Sequence, residues 1–320
     1  MTGAMIAIAG MWSALLDPPA GYADFPRDVT PVAKHICADF DVEVYCQANG
    51  PDTRQRVMMA VPRGVKGAVP CVIVPFYFPE AMLGFNPKDG SLESPLTTDG
   101  RDLTFYAGIT YMADLARRGY ITISADAYHL TYRGHEEPWW SFLPGCSSFS
   151  WERVGNALNE DWPDWTGIGK LVFDTRLLVD LAESDPRVDK NRIGIIGHSL
   201  GGKMAFYAGC LDKRIKVIVA SDFGIGWTQT NWEDCWYWGE KLAGVRAKGL
   251  SNIDLLSLSG GKPFCLIAGK YDDADSGHLM LSARGYEGHP DRLLFIHHGT
   301  GHRPPREATE KGYDFLARFL

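Results

Sequence analysis

The stretch Ile193-Gly194-Ile195-Ile196-Gly197-His198-Ser199-Leu200-Gly201-Gly202 constrains this chain more than any other. A buried-strand pattern, Arg192 to Ile196, runs into Gly-His-Ser-Leu-Gly, and a segment of helical character, Lys203 to Cys210, leaves it. Strand, tight turn and helix in that order place a serine at the apex of a nucleophile elbow, G-x-S-x-G. At the apex the Ser199 hydroxyl projects clear of the backbone. Gly197 and Gly201 flank it because a Cβ at either position would collide where strand and helix approach. The helix directs its N-terminus at the serine, so the Leu200 N–H faces negative charge developing on a reacting oxygen.

The lead-in Asp185-Pro186-Arg187-Val188-Asp189-Lys190-Asn191-Arg192-Ile193-Gly194 extends the pattern. Lead-in and elbow together are similar to those of the α/β-hydrolases, and the chain most resembles their dienelactone-hydrolase and acetyl-xylan-esterase-like branches. The resemblance runs from about Asp39 onward. It implies an α/β fold with a mostly parallel central sheet, helices on both faces and an antiparallel strand pair at one edge. It also implies a serine, an acid and a histidine, in that chain order.

The remaining residues read compatibly with that frame. Phe40, Val42, Val44 and Cys46 alternate before Asn49-Gly50-Pro51-Asp52, and Arg54 to Val61 follows, the pattern of a β-hairpin. Val69 to Val74 is a continuous apolar run suited to a buried parallel strand. Gly84 to Asp102 reads as a long loop, Tyr106 to Arg118 as a helix stopped by Gly119, and Tyr120 to Ala125 as a strand. Helical spacing returns over Thr166 to Ser184. Strand patterns recur at Ile215 to Ala220, Pro263 to Ala268 and Leu293 to His297, and Arg306 to Leu320 closes the chain as an amphipathic helix. No repeat or low-complexity tract interrupts the order, so the expectation is one domain, 1–320, with insertions at about 127–165 and 222–261. Nine of the ten tryptophans fall between Trp139 and Trp238, in or near these insertions. Both insertions leave strand ends on the side where open α/β sheets bind ligands. The tryptophans are therefore read two ways, as a sugar-stacking or aryl-binding wall that includes Trp227 and Trp232, or as the cores of the insertions.

A serine hydroxyl needs a general base, and the base needs an orienting acid. The catalytic expectation is Ser199, Asp272 and His302. His302 follows the last strand pattern in a Gly-flanked loop, with His297 and His298 as rivals. Asp272 lies in Gly269-Lys270-Tyr271-Asp272, with Asp273 and Asp275 close by, and Asp222, after the preceding strand, is the fallback. The oxyanion donors are expected to be the Leu200 N–H and one from Pro75-Phe76-Tyr77-Phe78-Pro79, with Tyr77 preferred over Phe76. The resembled families usually carry His-Gly in that loop, and this chain does not. Phe76 and His198 join Trp227 and Trp232 as candidate substrate contacts. Asp126, closing a strand, is read as a local hydrogen-bonding acid.

These readings point to a serine carboxylic-ester hydrolase for a carbohydrate ester or other small-acyl ester, working through an acyl-enzyme without metal or organic cofactor. Ser199 argues against dienelactone hydrolysis, for which the family uses cysteine. Glucuronoyl esterases are similar in part, with a lysine where Lys203 stands, but they carry arginine where this chain has Leu200. A prolyl-oligopeptidase-like peptidase and an inactive ligand-binding relative are the alternatives; the first usually adds a large propeller domain for which 320 residues leave no room. A net charge of -7 and the lack of a basic run argue against nucleic acid as a partner. Seven cysteines at irregular spacing read as free thiols of a reducing compartment. The apolar start, Met1 to Leu16, has no Lys or Arg before Arg27, so a docked helix is expected there rather than a secretory signal. No longer segment has the length and apolarity of a membrane span, and a cytoplasmic setting is expected.

Overall fold

The computed structural model describes residues 3–85, 108–133 and 148–320. Among them, nine strands form one sheet in the order β1-β2-β3-β5-β4-β6-β7-β8-β9. These are β1 (Val29–Ile36), β2 (Phe40–Gly50), β3 (Thr53–Pro62), β4 (Val69–Ile73), β5 (Ile121–Ala125), β6 (Val188–His198), β7 (Ile215–Ser221), β8 (Phe264–Ala268) and β9 (Leu293–His297). The first three strands pair antiparallel, β3 joins β5 antiparallel, and the six strands from β5 to β9 in spatial order are parallel. All six therefore end on the same edge of the sheet.

Helices cover both faces. Gly194 and Ile195 of β6 are neighbours in sequence and so point to opposite sides. On one side Gly194 lies against Leu316 and Leu320; on the other the Ile195 side chain meets Gly209. The first side is packed by the closing helix α10 (Arg306–Phe319), which turns Ala308, Tyr313, Phe315 and Leu316 inward as its periodicity requires. The second carries α6 (Leu200–Leu211) and α5 (Gly167–Ser184), with the N-terminal helix α1 (Gly3–Leu16) docked over α5 through buried Trp12 and Leu16. The buried residues of sheet and helices form one contiguous apolar cluster.

Most expected elements occur within a residue or two of their predicted ends. The hairpin forms as β2 and β3, and the helix expected from Tyr106 is observed as α3 (Tyr111–Arg117), ending before Gly119. The edge strand β1 was not expected. Its residues are almost all exposed and Pro31 lies at a break in its register with β2, so no core-facing alternation marks it. The first Trp-rich segment contains a helix, α4 (Ser148–Asp161), where only an irregular insertion was expected. Most of the expected loop Gly84 to Asp102, together with Trp139, Trp140 and Cys146, lies outside the described residues. The six cysteines within them are free thiols. No helix among the described residues is long and apolar enough to cross a membrane.

Candidate active site

The elbow forms where the sequence places it, between β6 and α6. Ser199 has φ 57° and ψ −116°, a conformation that is uncommon and strained for a residue with a Cβ. The surroundings hold it there. Its N–H donates to the Ser221 carbonyl at 2.8 Å, and its carbonyl accepts the Lys203 N–H at 3.0 Å. A Cβ on Gly197 would lie 2.0 Å from the Gly201 carbonyl oxygen, and one on Gly201 would lie 2.0 Å from that of Pro75. The glycines thus let the loop after β4 settle directly on the elbow. That contact brings the backbone at Phe76 and Tyr77 beside the start of α6 and Leu200, the region expected to supply oxyanion donors.

The loop is fixed from two sides. The Tyr77 carbonyl accepts the Ala127 N–H at 3.0 Å, and the ring of Tyr77 packs edge-on against Phe76 and Trp151. Immediately after it, α2 (Pro79–Leu83) carries Glu80, which is paired with Arg56 of β3. The same guanidinium holds Asp126 at 2.9 Å. Asp126 is therefore engaged by an arginine of another strand, 70 residues away, and not by the sequence-local partners expected of an acid closing a strand.

His302, after β9, packs on the imidazole of His198, the residue preceding Ser199, with ring centroids 4.5 Å apart. Tyr271 lies edge-on to its ring at 4.8 Å. His198 is held in turn by a 3.0 Å hydrogen bond between its Nδ1 and the Ser221 hydroxyl. Burial drives the His198 pKa well below the ordinary histidine value, and any charge on His302 lowers it further. His198 thus serves as a packing surface for His302.

The carboxylate joined to His302 is Asp222. Its Oδ2 lies 2.5 Å from His302 Nδ1. The expectation that Asp272 orients the histidine is corrected here. Asp272 Oδ2 accepts the N–H groups of Phe223 and Gly224 at 2.8 and 2.9 Å. Its Oδ1 accepts the Ile225 N–H at 2.7 Å and the Ser276 hydroxyl at 3.2 Å. The physical reason is chain geometry. Asp222 follows the last residue of β7 with φ 43°, which reverses the chain so that the amides after it point at Asp272. Asp273 caps α9 (Ala274–Leu281) through the N–H groups of Asp275 and Ser276, and Asp275 lies in that helix's first turn. His298 bonds to Thr300, and His297 ends β9 exposed.

Burial pushes the Asp222 carboxyl upward, but the His302 hydrogen bond and backbone amides outweigh it, and the pKa lies below the usual carboxylate value. Asp272 goes the other way. Burial, reinforced by the nearby Asp222 charge, raises it to about 6 despite its amide partners.

The candidate substrate contacts divide. Phe76, His198 and Trp232 are each 0 % exposed, so their side chains shape the site and present no face to a ligand. Trp232 is the centre of the second insertion's core, with its indole N–H donating to the Gly224 carbonyl at 2.8 Å. Trp227 is partly exposed, and its indole N–H donates to the Leu250 carbonyl at 2.9 Å. The tryptophans of the second insertion therefore act mainly as a core. The sequence places Lys203 at the start of the helix after the elbow, where glucuronoyl esterases also carry lysine, and assigns it no contact. It lies one turn beyond Ser199 in α6, with Nζ 4.7 Å from the ring centre of Trp232 and 4.8 Å from that of Tyr237. Burial lowers its pKa to about 7 against the attraction of Asp272, Asp234 and Asp222. Its i+4 spacing from Ser199 was visible in the sequence, but the two aromatic rings beside its ammonium were not. Among the described residues no group of three or more His, Cys, Asp or Glu is arranged to hold a metal ion.

The acetyl xylan esterase (AXE1) family matches residues 169–223, which run from within α5 through β6, the elbow and β7 to Phe223. The curated relative named "Putative hydrolase YtaP", from Bacillus subtilis (strain 168), is 43% identical over 73 residues. That match spans 21% of this chain and 24% of the relative, about a quarter of its length. Among solved structures, a glucuronoyl esterase from Teredinibacter turnerae T7901 aligns with TM-score 0.69 and 16% identity over 98% of this chain and 83% of its own. A glucuronoyl esterase from Solibacter usitatus aligns with TM-score 0.67 and 14% identity over 99% and 92% of the two chains. These structural likenesses are of fold: the chain has the α/β-hydrolase fold. The resemblance to acetyl-xylan-esterase-like proteins read at the elbow is matched independently in sequence over residues 169–223.

Proposed function

We propose that this protein is a serine carboxylic-ester hydrolase with Ser199 as nucleophile, His302 as general base and Asp222 as orienting acid. The observation that carries the reading is the 2.5 Å hydrogen bond that His302 Nδ1 makes to the Asp222 carboxylate, beside an elbow serine at φ 57°. With Nδ1 engaged by a carboxylate, the proton is fixed on that nitrogen and Nε2 is left as the acceptor.

In the proposed reaction, His302 Nε2 takes the Ser199 proton as Oγ attacks the ester carbonyl. The C=O electrons move to the oxygen, and the Leu200 and Tyr77 N–H groups hold the oxyanion. As the carbonyl re-forms, the C–O bond to the alcohol breaks, and imidazolium donates the proton to the leaving oxygen. Water then attacks the acyl-enzyme with its proton passing to His302. Collapse of the second tetrahedral adduct releases the acid and returns the proton to Ser199. Asp222 remains ionised throughout and stabilises the imidazolium.

The substrate we propose is a carbohydrate ester with a small acyl group. The acetyl-xylan-esterase match over the catalytic core supports it, as does the glucuronoyl esterase activity named for proteins of the same fold. Leu200 in place of the arginine of glucuronoyl esterases favours acetyl release over cleavage of a uronate ester.

The test is hydrolysis of p-nitrophenyl acetate by wild type and Ser199→Ala, followed by acetylated xylo-oligosaccharides against a methyl glucuronate ester. A loss on the order of a thousandfold or more in the variant, with acetate released from the xylo-oligosaccharides, is the expected result. Equal turnover by both proteins would sink the assignment of Ser199. Turnover of the uronate ester alone would reverse the substrate preference.

A further inference from the structure

We infer that Asp272 is a positioning residue for the catalytic acid, and that Asp222 and Asp272 form a reciprocal clasp between the ends of β7 and β8. The inference rests on the reading of Asp222 as the acid of the triad.

The two carboxylates make mirrored sets of contacts. Asp222, at the end of β7, accepts N–H groups from the loop after β8, at 3.1 Å from Gly269, 2.8 Å from Tyr271 and 2.9 Å from Asp272. Asp272, in that loop, accepts the three N–H groups that follow Asp222, those of Phe223, Gly224 and Ile225, at 2.8, 2.9 and 2.7 Å. Each aspartate thus satisfies the loop that carries the other. Both are 0 % exposed, so neither set of amides can be satisfied by bulk water if a carboxylate is withdrawn.

The geometry decides what remains for catalysis. All three amides to Asp222 converge on Oδ1, and Oδ2 alone meets His302. The carboxyl plane is therefore fixed by the loop after β8, and the direction of Oδ2 follows from it. That loop is held in place when Asp272 grips residues 223–225 and the Ser276 hydroxyl of α9 bonds Asp272 Oδ1 at 3.2 Å. Asp222 also has φ 43°, a left-handed conformation that a non-glycine residue adopts at a cost. The amides bound by Asp272 are the ones immediately after this residue, so Asp272 offsets the strain at the point where it arises. Tyr271 belongs to the same loop, donates its N–H to Asp222 and lays its ring against His302. One displacement of the loop would thus disturb both the acid and the packing of the base.

The experiment compares Asp272→Asn and Ser276→Ala with wild type by two readouts. One is kcat and KM on p-nitrophenyl acetate. The other is the low-field proton resonance of the His302 Nδ1–H bonded to Asp222, which needs no turnover. Asparagine keeps the shape but turns an N–H₂ toward amide donors, so Asp272→Asn should lower kcat about 10- to 100-fold with KM within about threefold. The low-field resonance should shift or vanish. Ser276→Ala removes one of four donors to Asp272 and should lower kcat about two- to fivefold with a smaller shift in the same resonance. If Asp272→Asn does not fold, Ser276→Ala decides by the same readouts. An unchanged resonance, or an unchanged kcat, in the folded variant overturns the inference. Failure of the triad reading is a separate result: Ser199→Ala or Asp222→Asn would then retain wild-type turnover.

Discussion

Two acid-and-base pairs in this protein, each with a buried acid, are built on opposite plans. At the strand ends, Asp222 is surrounded by backbone amides and offers one oxygen to His302. Within α5, Lys170 and Asp174 lie four residues apart, 0 % and 3 % exposed, and bond directly to each other. The Lys170 ammonium also donates to the Asn49 carbonyl at 2.9 Å and lies over the ring of Tyr22. Burial lowers the Lys170 pKa and raises that of Asp174 to about 6, each opposed by attraction to the other. Both groups are thus pushed toward neutrality, and desolvation outweighs the pairing. At Asp222 the balance is reversed, because fixed amide dipoles and His302 favour the anion. Amide dipoles aimed at one oxygen leave the other free for chemistry, whereas the Lys170 ammonium takes one oxygen of Asp174 and leaves the pair buried in the core. The first arrangement suits a reacting site and the second a packed interior.

Variants of each pair can break this contrast. Asp222→Asn should lower kcat about 10³- to 10⁴-fold and leave the melting temperature close to wild type, because the amide side chain misdirects the imidazole tautomer while keeping the packing. Steady-state kinetics beside a thermal melt checks this, and a large loss of stability at full activity would refute it. Lys170→Met should do the opposite. It leaves Asp174 buried without its cation, costs about 3–5 kcal/mol of stability in a denaturant titration, and leaves kcat of the folded protein within about twofold. The double variant Lys170→Met with Asp174→Leu should recover most of that stability if desolvation governs the pair.

The smallest effect is expected at a partly exposed pair, which serves as a control. Glu43 is bonded by the Arg187 guanidinium at 2.8 and 3.0 Å, and this, against burial, holds its pKa at about 2. A carboxyl whose pKa falls on folding contributes stability above its unfolded value of 4.5 and loses it as pH falls toward about 2. The folded state binds fewer protons than the unfolded one across that window, so acid favours unfolding. Glu43→Gln should therefore flatten the pH dependence of the melting temperature between these limits. Near pH 6 it should cost only about 1 kcal/mol, since solvent screens the half-exposed guanidinium. A slope unchanged from wild type would show that the pair contributes nothing measurable.

Local pattern carried the fold and the elbow. Buried parallel strands show as apolar runs such as Val69 to Val74, and α10 shows as a 3.6-residue stripe. Gly197 and Gly201 are legible because a close backbone approach leaves no room for a Cβ, a requirement that one residue can record by itself. Strand β1 was illegible because an exposed edge strand buries nothing and needs no alternation. Asp272 shared with Asp222 the same legible features, an acid just beyond an apolar strand near glycine, and spacing could not separate them. The Trp-rich second insertion likewise showed many aromatics but not which of their faces were already covered, and Trp232 proved to be buried completely.

The sequence by itself determined where the serine turn lies, because its strand, glycines and helix are contiguous and their steric demands fall within a few residues. It also determined that His302 belongs to the loop after the final strand. Only the tertiary structure decided which acid meets that histidine. Asp222 and His302 are joined at 2.5 Å although 80 residues separate them, and the direction of the Asp222 carboxylate is set by amides of a third segment, Gly269 to Asp272. A contact fixed by three strand ends at once leaves no mark in any one of them.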